Sequence, residues 1–245
     1  MERIIKSKVR VQKHGEVFTP NRIVKEMLDV PGIRESCENL TATFLEPAAG
    51  EGAFLVEILD KKLEMVSEQY NDDLKQYENY SLLALSTLYG IELLEDNAQI
   101  CVMNMYGKYY QCYQKQVEFH QGRIKKNVLD SAKKIISLNI ENGNFLTRQA
   151  NSGQPIVFSE WKPLNLRKTT KVLKVQRTEY TLDALYENIK NTSGKSLKSI
   201  PSEPEQLDIF SFLEEEHEVE VKERKEMIYV PVPIVDVYKE EMEEL

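Results

Sequence analysis

The sequence predicts an α/β fold with a mainly parallel sheet, followed by a flexible acidic C-terminal tail. Short apolar segments with strand character alternate with longer segments of helical periodicity, the pattern of consecutive β–α–β units. A glycine-containing turn joins the first predicted strand to the first long helix. A Ser- and Pro-rich stretch later separates this pattern from acidic residues. We therefore expect a main domain over residues 1–190, a linker over 191–206 and an acidic tail over 207–245.

The first half of the chain gives the clearest pattern. Residues 41–46 predict a short buried strand, and residues 52–69 predict a helix with apolar side chains at helical spacing. Upstream, Thr19 is suited to cap a helix that begins at Pro20. A short helix is expected over residues 81–87.

The pattern continues through the second half with weaker signals. The further predicted strands are residues 89–93, 138–140, 155–158 and 171–176. The further predicted helices run from Glu95 to about Tyr110, over 122–137 and over 181–190. The prolines within residues 228–238 allow an edge strand there at best.

Charge is distributed unevenly along the chain, whose formal net charge is −8. Residues 1–175 carry 24 Lys+Arg and 22 Asp+Glu, a net of +2, whereas residues 176–245 carry 8 and 18, a net of −10. Because the acidity is a C-terminal property, the N-terminal part can still approach DNA.

Several site classes are not expected. The three cysteines (Cys37, Cys101 and Cys112) and the three histidines lack metal-ligand spacing, so we expect no metal site. No stretch approaches 18 apolar residues, which argues against a membrane span. The charged N-terminus has no apolar signal region, so a cytoplasmic location is expected.

The turn after the first strand is the strongest candidate site. Gly50 and Gly52 permit a tight turn and a close backbone approach to a ligand, and the next helix can receive an anionic group at its N-terminus. An ordinary strand-to-helix turn is the structural alternative. Glu92 ends the second strand, where a carboxylate can accept the hydroxyls of a ribose; the alternative is a solvated carboxylate.

Three blocks, in order, carry a resemblance to a known family: His14-Gly15-Glu16-Val17-Phe18-Thr19-Pro20, the segment from Phe44 to Leu55, and Tyr89-Gly90-Ile91-Glu92-Leu93. Over about residues 10–150 the chain resembles the adenine-specific (N6) DNA methyltransferases of restriction-modification systems, particularly type I modification subunits and fused type II enzymes. The resemblance implies a Rossmann-like domain that uses S-adenosyl-L-methionine (SAM) and acts in DNA methylation.

The resemblance also implies individual roles for the cofactor-binding residues: Phe18, Thr19, Pro20, Glu46, Pro47, Ala48, Gly50, Gly52, Glu92, Asn144 and Phe145. The Phe-Thr-Pro block would line the methionine side of SAM, Glu46 would lie near its amino-acid end, and Glu92 would hold its ribose. Asn144 stands where the family commonly has Asp, and its amide oxygen can still accept a hydrogen bond from the adenine amine.

The resemblance fails at the family's Asn/Asp-Pro-Pro-Tyr/Phe motif, which is absent from this sequence. That motif supplies the aromatic ring and carbonyl acceptors that hold a flipped adenine and activate its conjugated amine. Ser159, Glu160 and Trp161 occupy its expected place. In one hypothesis Trp161 stacks the base and Ser159 or Glu160 replaces the amide acceptor. In the other, Trp161 is packing and catalysis is absent.

These alternatives lead to two main functions: a SAM-dependent DNA adenine-N6 methyltransferase, or an inactive SAM-binding subunit that pairs with a catalytic chain. Methylation of a protein or RNA nitrogen is a third. Since the acidic C-terminal residues are unsuited to reading DNA, another subunit would supply sequence recognition. The tail residues Gln206, Leu207, Ile209 and Phe210 resemble the peptide that docks on the bacterial β sliding clamp. Two alternatives remain: the segment folds back on the main domain, or the five-residue match arises by chance.

Overall fold

Through the first 144 residues of a computed structural model, which describes residues 4–197 and 227–245, each of three strands follows two or three helices. The helices are α1 (Lys8–His14), α2 (Asn21–Leu28), α3 (Ile33–Cys37), α4 (Ala53–Gln69), α5 (Leu74–Leu85), α6 (Glu95–Phe119), α7 (Lys126–Asn139) and α8 (Leu182–Tyr186). The strands are β1 (Phe44–Glu46), β2 (Leu88–Glu92), β3 (Ile140–Asn144), β4 (Gln149–Ala150), β5 (Val157–Pro163), β6 (Lys174–Thr181), β7 (Met227–Tyr229), β8 (Val232–Pro233) and β9 (Met242–Glu244), with a 3₁₀ helix at Ile234–Lys239.

The first four strands form one sheet in the order β1-β2-β3-β4, in which β1, β2 and β3 are parallel and β4 is antiparallel. Successive residues of β2 point to opposite faces of the sheet. On one face, a Cβ placed on Gly90 would lie 2.8 Å from Leu55 of α4. On the other, Ile91 packs with Ile156 and Phe158. The sheet therefore has helices on one face and the start of β5 on the other.

The first sheet is mainly parallel, as expected, but the predicted fourth strand belongs to a second, antiparallel sheet. Strands β5, β6 and β8 are antiparallel to one another, and β5 does not join the parallel sheet as a fourth strand. Strand β5 also continues to Pro163, five residues beyond the predicted end at Phe158. The physical reason is its pairing with β6 over its whole length, from Val157 opposite Thr181 to Pro163 opposite Val175.

Several helix boundaries also differ from the prediction. Helix α5 begins at Leu74, well before residue 81, and α6 continues to Phe119. Helix α2 begins at Asn21 and has no side-chain cap, so the predicted cap at Thr19 is wrong. The third strand begins at Ile140, because Leu138 and Asn139 are the end of α7.

The last described residues, 227–245, are not a separate tail. Tyr229, Ile234 and Val237 are buried, and β8 pairs with β6. Apolar residues that the sequence pattern assigned to an acidic tail thus complete the core of the main domain. The predicted clamp peptide at Gln206–Phe210 and the linker residues 198–206 lie outside the described residues.

Candidate functional site

The glycine loop follows β1 directly and is fixed to the neighbouring strand. The Ala49 amide donates to the Ile91 carbonyl at 2.9 Å, which extends the β1–β2 pairing into the loop. The Gly52 amide then donates to Ala49 at 2.8 Å and closes the turn. The Glu46 carboxylate accepts the Ala48 amide at 3.1 Å. The loop is therefore set by main-chain bonds at the carboxyl end of the parallel strands, the edge where α/β folds bind ligands.

Two glycines make this turn sterically feasible. Gly50 has φ +55° and Gly52 has φ +88°, a left-handed conformation that other residues adopt only with strain. A Cβ on Gly52 would also lie 2.8 Å from the Cys101 sulfur, so α6 occupies the space that a side chain would need. At Gly50 the nearest group is the Phe18 ring, 3.7 Å from the equivalent Cβ position. Gly52 thus serves helix packing, whereas Gly50 faces the predicted methionine-binding block.

Glu92 is the centre of the site and is 7% exposed. Its Oε2 accepts the Gly50 amide at 2.7 Å, and its Oε1 accepts the Leu94 amide at 2.9 Å. Asn97 Nδ2 lies 3.4 Å from the same Oε1. The alternative of a solvated carboxylate is therefore wrong: Glu92 joins the glycine loop to the start of α6. A carboxylate has about four acceptor positions, so capacity for a further hydroxyl donor remains.

An N-terminal arm, residues 4–20, holds Phe18 against this loop. The Arg10 guanidinium binds Glu16 (Nε to Oε2, 2.5 Å) and grips both Asp96 oxygens at 2.9 Å. Glu16 in turn accepts from Asn97 Nδ2 at 2.7 Å. These hydrogen bonds from Arg10 hold the pKa of the Glu16 carboxyl below its usual range and lower that of Asp96 to about 2. The ion pairs therefore persist at neutral pH.

The remaining cofactor candidates are placed less uniformly. Thr19 and Pro20 are the last residues of the arm, directly before α2, and both are half-buried. Asn144 ends β3, where its Oδ1 accepts the Leu146 amide at 2.9 Å and so stabilises its own turn. Phe145 packs against a cluster that includes Ile91 of β2 and Phe158 of β5, on the face of the first sheet away from the helices. The role of Asn144 toward the adenine of SAM, and cofactor binding by Phe145, stay predictions.

The three catalytic candidates lie on a strand and alternate between its two sides. Ser159 and Trp161 are 2% and 5% exposed, whereas Glu160 is exposed. Trp161 packs in the main core with the Arg177 guanidinium 5.4 Å from its ring, and Ser159 Oγ accepts from Arg177 Nε at 3.0 Å. Trp161 is therefore a packing residue, as the second hypothesis expects, because pairing with β6 turns its ring inward.

Glu160 lines a cavity of about 430 Å³ beside β1. Most of the lining is apolar or aromatic, including Leu45, Tyr89, Phe158 and Tyr180. Burial raises the pKa of the Tyr89 hydroxyl well above its usual value, and that hydroxyl donates to the Ser159 carbonyl at 3.1 Å. Of the three catalytic candidates, only Glu160 can reach a ligand in this cavity.

The sequence patterns did not single out several residues that build the site. Arg10, Asp96 and Asn97 connect the arm, Glu92 and α6. Asn142 was also missed; its Nδ2 donates to the Glu92 carbonyl at 2.8 Å. A polar residue one strand over from Glu92 was the available signal. Its meaning depends on the β2–β3 register, which pairs Glu92 with Asn142.

No group of three or more His, Cys, Asp or Glu side chains that could hold a metal ion occurs within residues 4–197 and 227–245. No helix in those ranges is long and apolar enough to cross a membrane.

Comparison with known proteins gives one family. A family model described as N-6 DNA Methylase matches residues 3–139, more than half of the 245-residue chain. The match covers the N-terminal arm, the glycine loop and Glu92, and it confirms the resemblance to adenine-N6 DNA methyltransferases at the level of the family. No curated protein and no solved structure matches the chain.

Proposed function

Because the chain belongs to the N-6 DNA methylase family, we propose that it holds SAM for adenine-N6 methylation of DNA while a second chain supplies the target-base site. The observation that carries this proposal is the contrast between two regions. The arm, the glycine loop and Glu92 form a connected site, whereas Ser159 and Trp161 face the core.

The residues of the glycine-loop site fit the cofactor. Glu92 is oriented by two main-chain amides and keeps acceptor capacity for a ribose hydroxyl. Among the described residues, apart from its two chain neighbours, the Phe18 ring is the only group within 4 Å of a Cβ placed on Gly50. The space beside Gly50 therefore suits the methionine part of SAM. Glu46 lies at the start of the loop, where its carboxylate can receive the ammonium group. When bound, SAM supplies an electrophilic methyl group to a nucleophile.

Transfer to adenine needs groups that the described residues do not bring together. The exocyclic amine becomes nucleophilic only when well-placed carbonyl oxygens accept its hydrogens and the base is held in line with the methyl group. Residues 159–163, which stand where the family motif is expected, are instead paired with β6. A second chain that carries these acceptors and reads the DNA sequence would complete the reaction.

The edge of the parallel sheet supports a partner at this position. The Phe44 amide bonds Thr87 of the β2 side, so the amide and carbonyl of the next residue, Leu45, point to the other side. No strand within the described ranges pairs with that side of β1, and Leu45 is 41% exposed. Unpaired edges of this kind accept strands from other chains.

Calorimetric titration of the full chain with SAM tests the cofactor site. Glu92→Gln keeps the shape of the side chain but removes the charge that strengthens its hydrogen bonds, so SAM affinity should fall by about tenfold to a hundredfold. Glu64→Gln, an exposed site on the outer side of α4, is the matched control and should bind as wild type does. Absence of wild-type binding at millimolar SAM would contradict the proposal.

A single-chain methyltransferase is the second candidate, favoured by the exposure of Glu160 in its cavity. Mass spectrometry of DNA from cells that express only this chain separates the two. A rise in N6-methyladenine that is lost in Glu160→Gln would support the single-chain enzyme and refute the need for a partner. An unchanged level, together with SAM binding, supports the two-chain proposal. The β sliding clamp stays a proposed second partner through Gln206–Phe210.

A further inference from the structure

The loop that joins β5 to β6, together with the strand ends beside it, carries cationic side chains without acidic ones. From Trp161 to Thr178 the sequence has no Asp or Glu. It has six cationic side chains, and only Arg177 among them is buried. The other five are exposed: Lys162, Arg167, Lys168, Lys171 and Lys174. Within the described residues none of these five has an ion-pair partner, in contrast to the arm, where Arg10 is fully paired.

The loop that joins the two strands is held in a defined conformation. Three largely buried side chains of α5 bind its carbonyl groups: Gln76 Nε2 donates to Lys168 at 2.6 Å, Asn79 Nδ2 to Lys171 at 3.2 Å, and the Tyr80 hydroxyl to Arg167. These carbonyls face α5, and the cationic side chains of the same three residues are exposed. The cations are thus presented on a fixed backbone.

Inside the loop, side chains also close the turn. Asn165 Nδ2 donates to the Val172 carbonyl at 2.9 Å, and its Oδ1 accepts the Lys174 amide at 2.9 Å. The Thr170 hydroxyl donates to the Asn165 carbonyl at 2.7 Å. A prearranged array of cations loses less conformational freedom on binding a polyanion than a flexible one does.

We propose that this basic hairpin loop, residues 162–174, binds the phosphate backbone of double-stranded DNA. The loop lies on α5, and its exposed Lys and Arg side chains form a surface that can contact successive phosphates. The proposal rests on the proposed function for the choice of DNA as the polyanion. It assigns the chain an anchoring contact in addition to any sequence reading by a partner.

The loop anchors DNA away from the cofactor site. The hairpin begins where Phe158 packs beside Ile91, near the carboxyl end of β2, and its loop ends against α5, which leads into the opposite end of β2. Seven residues of β5 span about 23 Å at roughly 3.3 Å per residue. The loop therefore contributes affinity and orientation, while the target base is presented elsewhere.

Salt dependence of DNA binding tests this inference with the full chain and a labelled duplex of arbitrary sequence. Five phosphate contacts predict that affinity falls about 500-fold between 50 and 200 mM salt. The triple variant Arg167→Ala, Lys168→Ala, Lys171→Ala should fall only about 12-fold over that range, and at 50 mM salt it should bind at least about tenfold more weakly than wild type.

The control removes the same charge from another exposed surface: Lys115→Ala, Arg123→Ala, Lys126→Ala. Its salt slope should match that of wild type. Equal slopes for wild type and the hairpin variant, or equal losses for the two triple variants, would overturn the inference. SAM titration of the same samples separates the outcomes, because the hairpin variant should bind SAM as wild type does. Loss of SAM binding by wild type would instead refute the proposed function.

Discussion

At the scale of single residues, the site depends on a position that has no room for a side chain. Gly52 combines a left-handed conformation with a close approach to Cys101 of α6. Burial among such neighbours raises the pKa of the Cys101 thiol to about 12, so this sulfur acts as a small apolar group. The glycine loop and α6 are consequently packed against each other before any ligand is considered.

Gly52→Ala should lower the free energy of unfolding by about 2–4 kcal/mol, through left-handed strain and the contact with Cys101. Urea unfolding followed by circular dichroism measures this change. Gly107→Ala is the control, because Gly107 lies within α6 with no atom within 4 Å of the added Cβ. That variant should gain up to about 1 kcal/mol from helix propensity. Equal effects of the two substitutions would show that the Gly52 environment is not restrictive.

At the scale of elements, a buried lysine holds the segment that precedes β1. Lys62 of α4 is 0% exposed, and its ammonium donates to the carbonyls of Asn39 at 2.7 Å and Ala42 at 2.9 Å. Burial lowers the pKa of Lys62 to about 8. The segment before β1 is thus tied to the helix that follows the glycine loop, so α4 fixes both ends of the first strand-to-helix unit.

The depressed pKa of Lys62 predicts a measurable dependence of stability on pH. Between about pH 8 and 10.5 the unfolded chain holds a proton that the folded chain has released, so stability rises with pH through this group. The difference in unfolding free energy between wild type and Lys62→Met should therefore shift by about 2 kcal/mol in favour of wild type from pH 7 to 9.5. The same comparison with the exposed Lys115→Met should show no such shift. Parallel curves for wild type and Lys62→Met would contradict the assignment.

At the scale of the whole molecule, one buried ionic network joins the antiparallel sheet to the C-terminal residues. Arg177 binds Glu179 at 2.6 Å and Glu240 at 2.7 Å, and its guanidinium lies 4.2 Å from the Tyr229 ring. Glu179 is 1% exposed and also accepts from the Tyr229 hydroxyl and the Leu197 amide. The network therefore ties Leu197 and Tyr229 to β6.

Arg177→Met should destabilise the fold by about 3–5 kcal/mol, because it leaves the Glu179 carboxylate buried without its main cation. Chemical denaturation measures the loss. Lys174→Met, at an exposed position of the same strand, should change stability by less than about 0.5 kcal/mol. Adding Glu179→Leu to Arg177→Met should recover part of the loss, since the unpaired charge is then removed. No recovery would show that packing, and not charge, dominates at this position.

Prediction from the sequence succeeded where the information is local. The helix after the glycine loop was expected over residues 52–69 and is Ala53–Gln69, because its apolar period and the glycine before its first residue are contained in one segment. It failed for Trp161, whose orientation depends on β6, a strand that follows more than ten residues later. The C-terminal residues were also misjudged, because their acidic average hides Ile234 and Val237, which are 0% and 2% exposed.

The sequence by itself determined the alternation of strands and helices, the left-handed glycines and the family to which residues 3–139 belong. Only the tertiary structure decided that Glu92 is held by Gly50 and Leu94, that Arg10 ties the arm to α6, and that the hairpin cations face solvent. The physical reason is the distance along the chain over which each kind of interaction acts. Backbone propensity and apolar period act over a few neighbouring residues, whereas ion pairs and strand register connect residues that are distant along the chain.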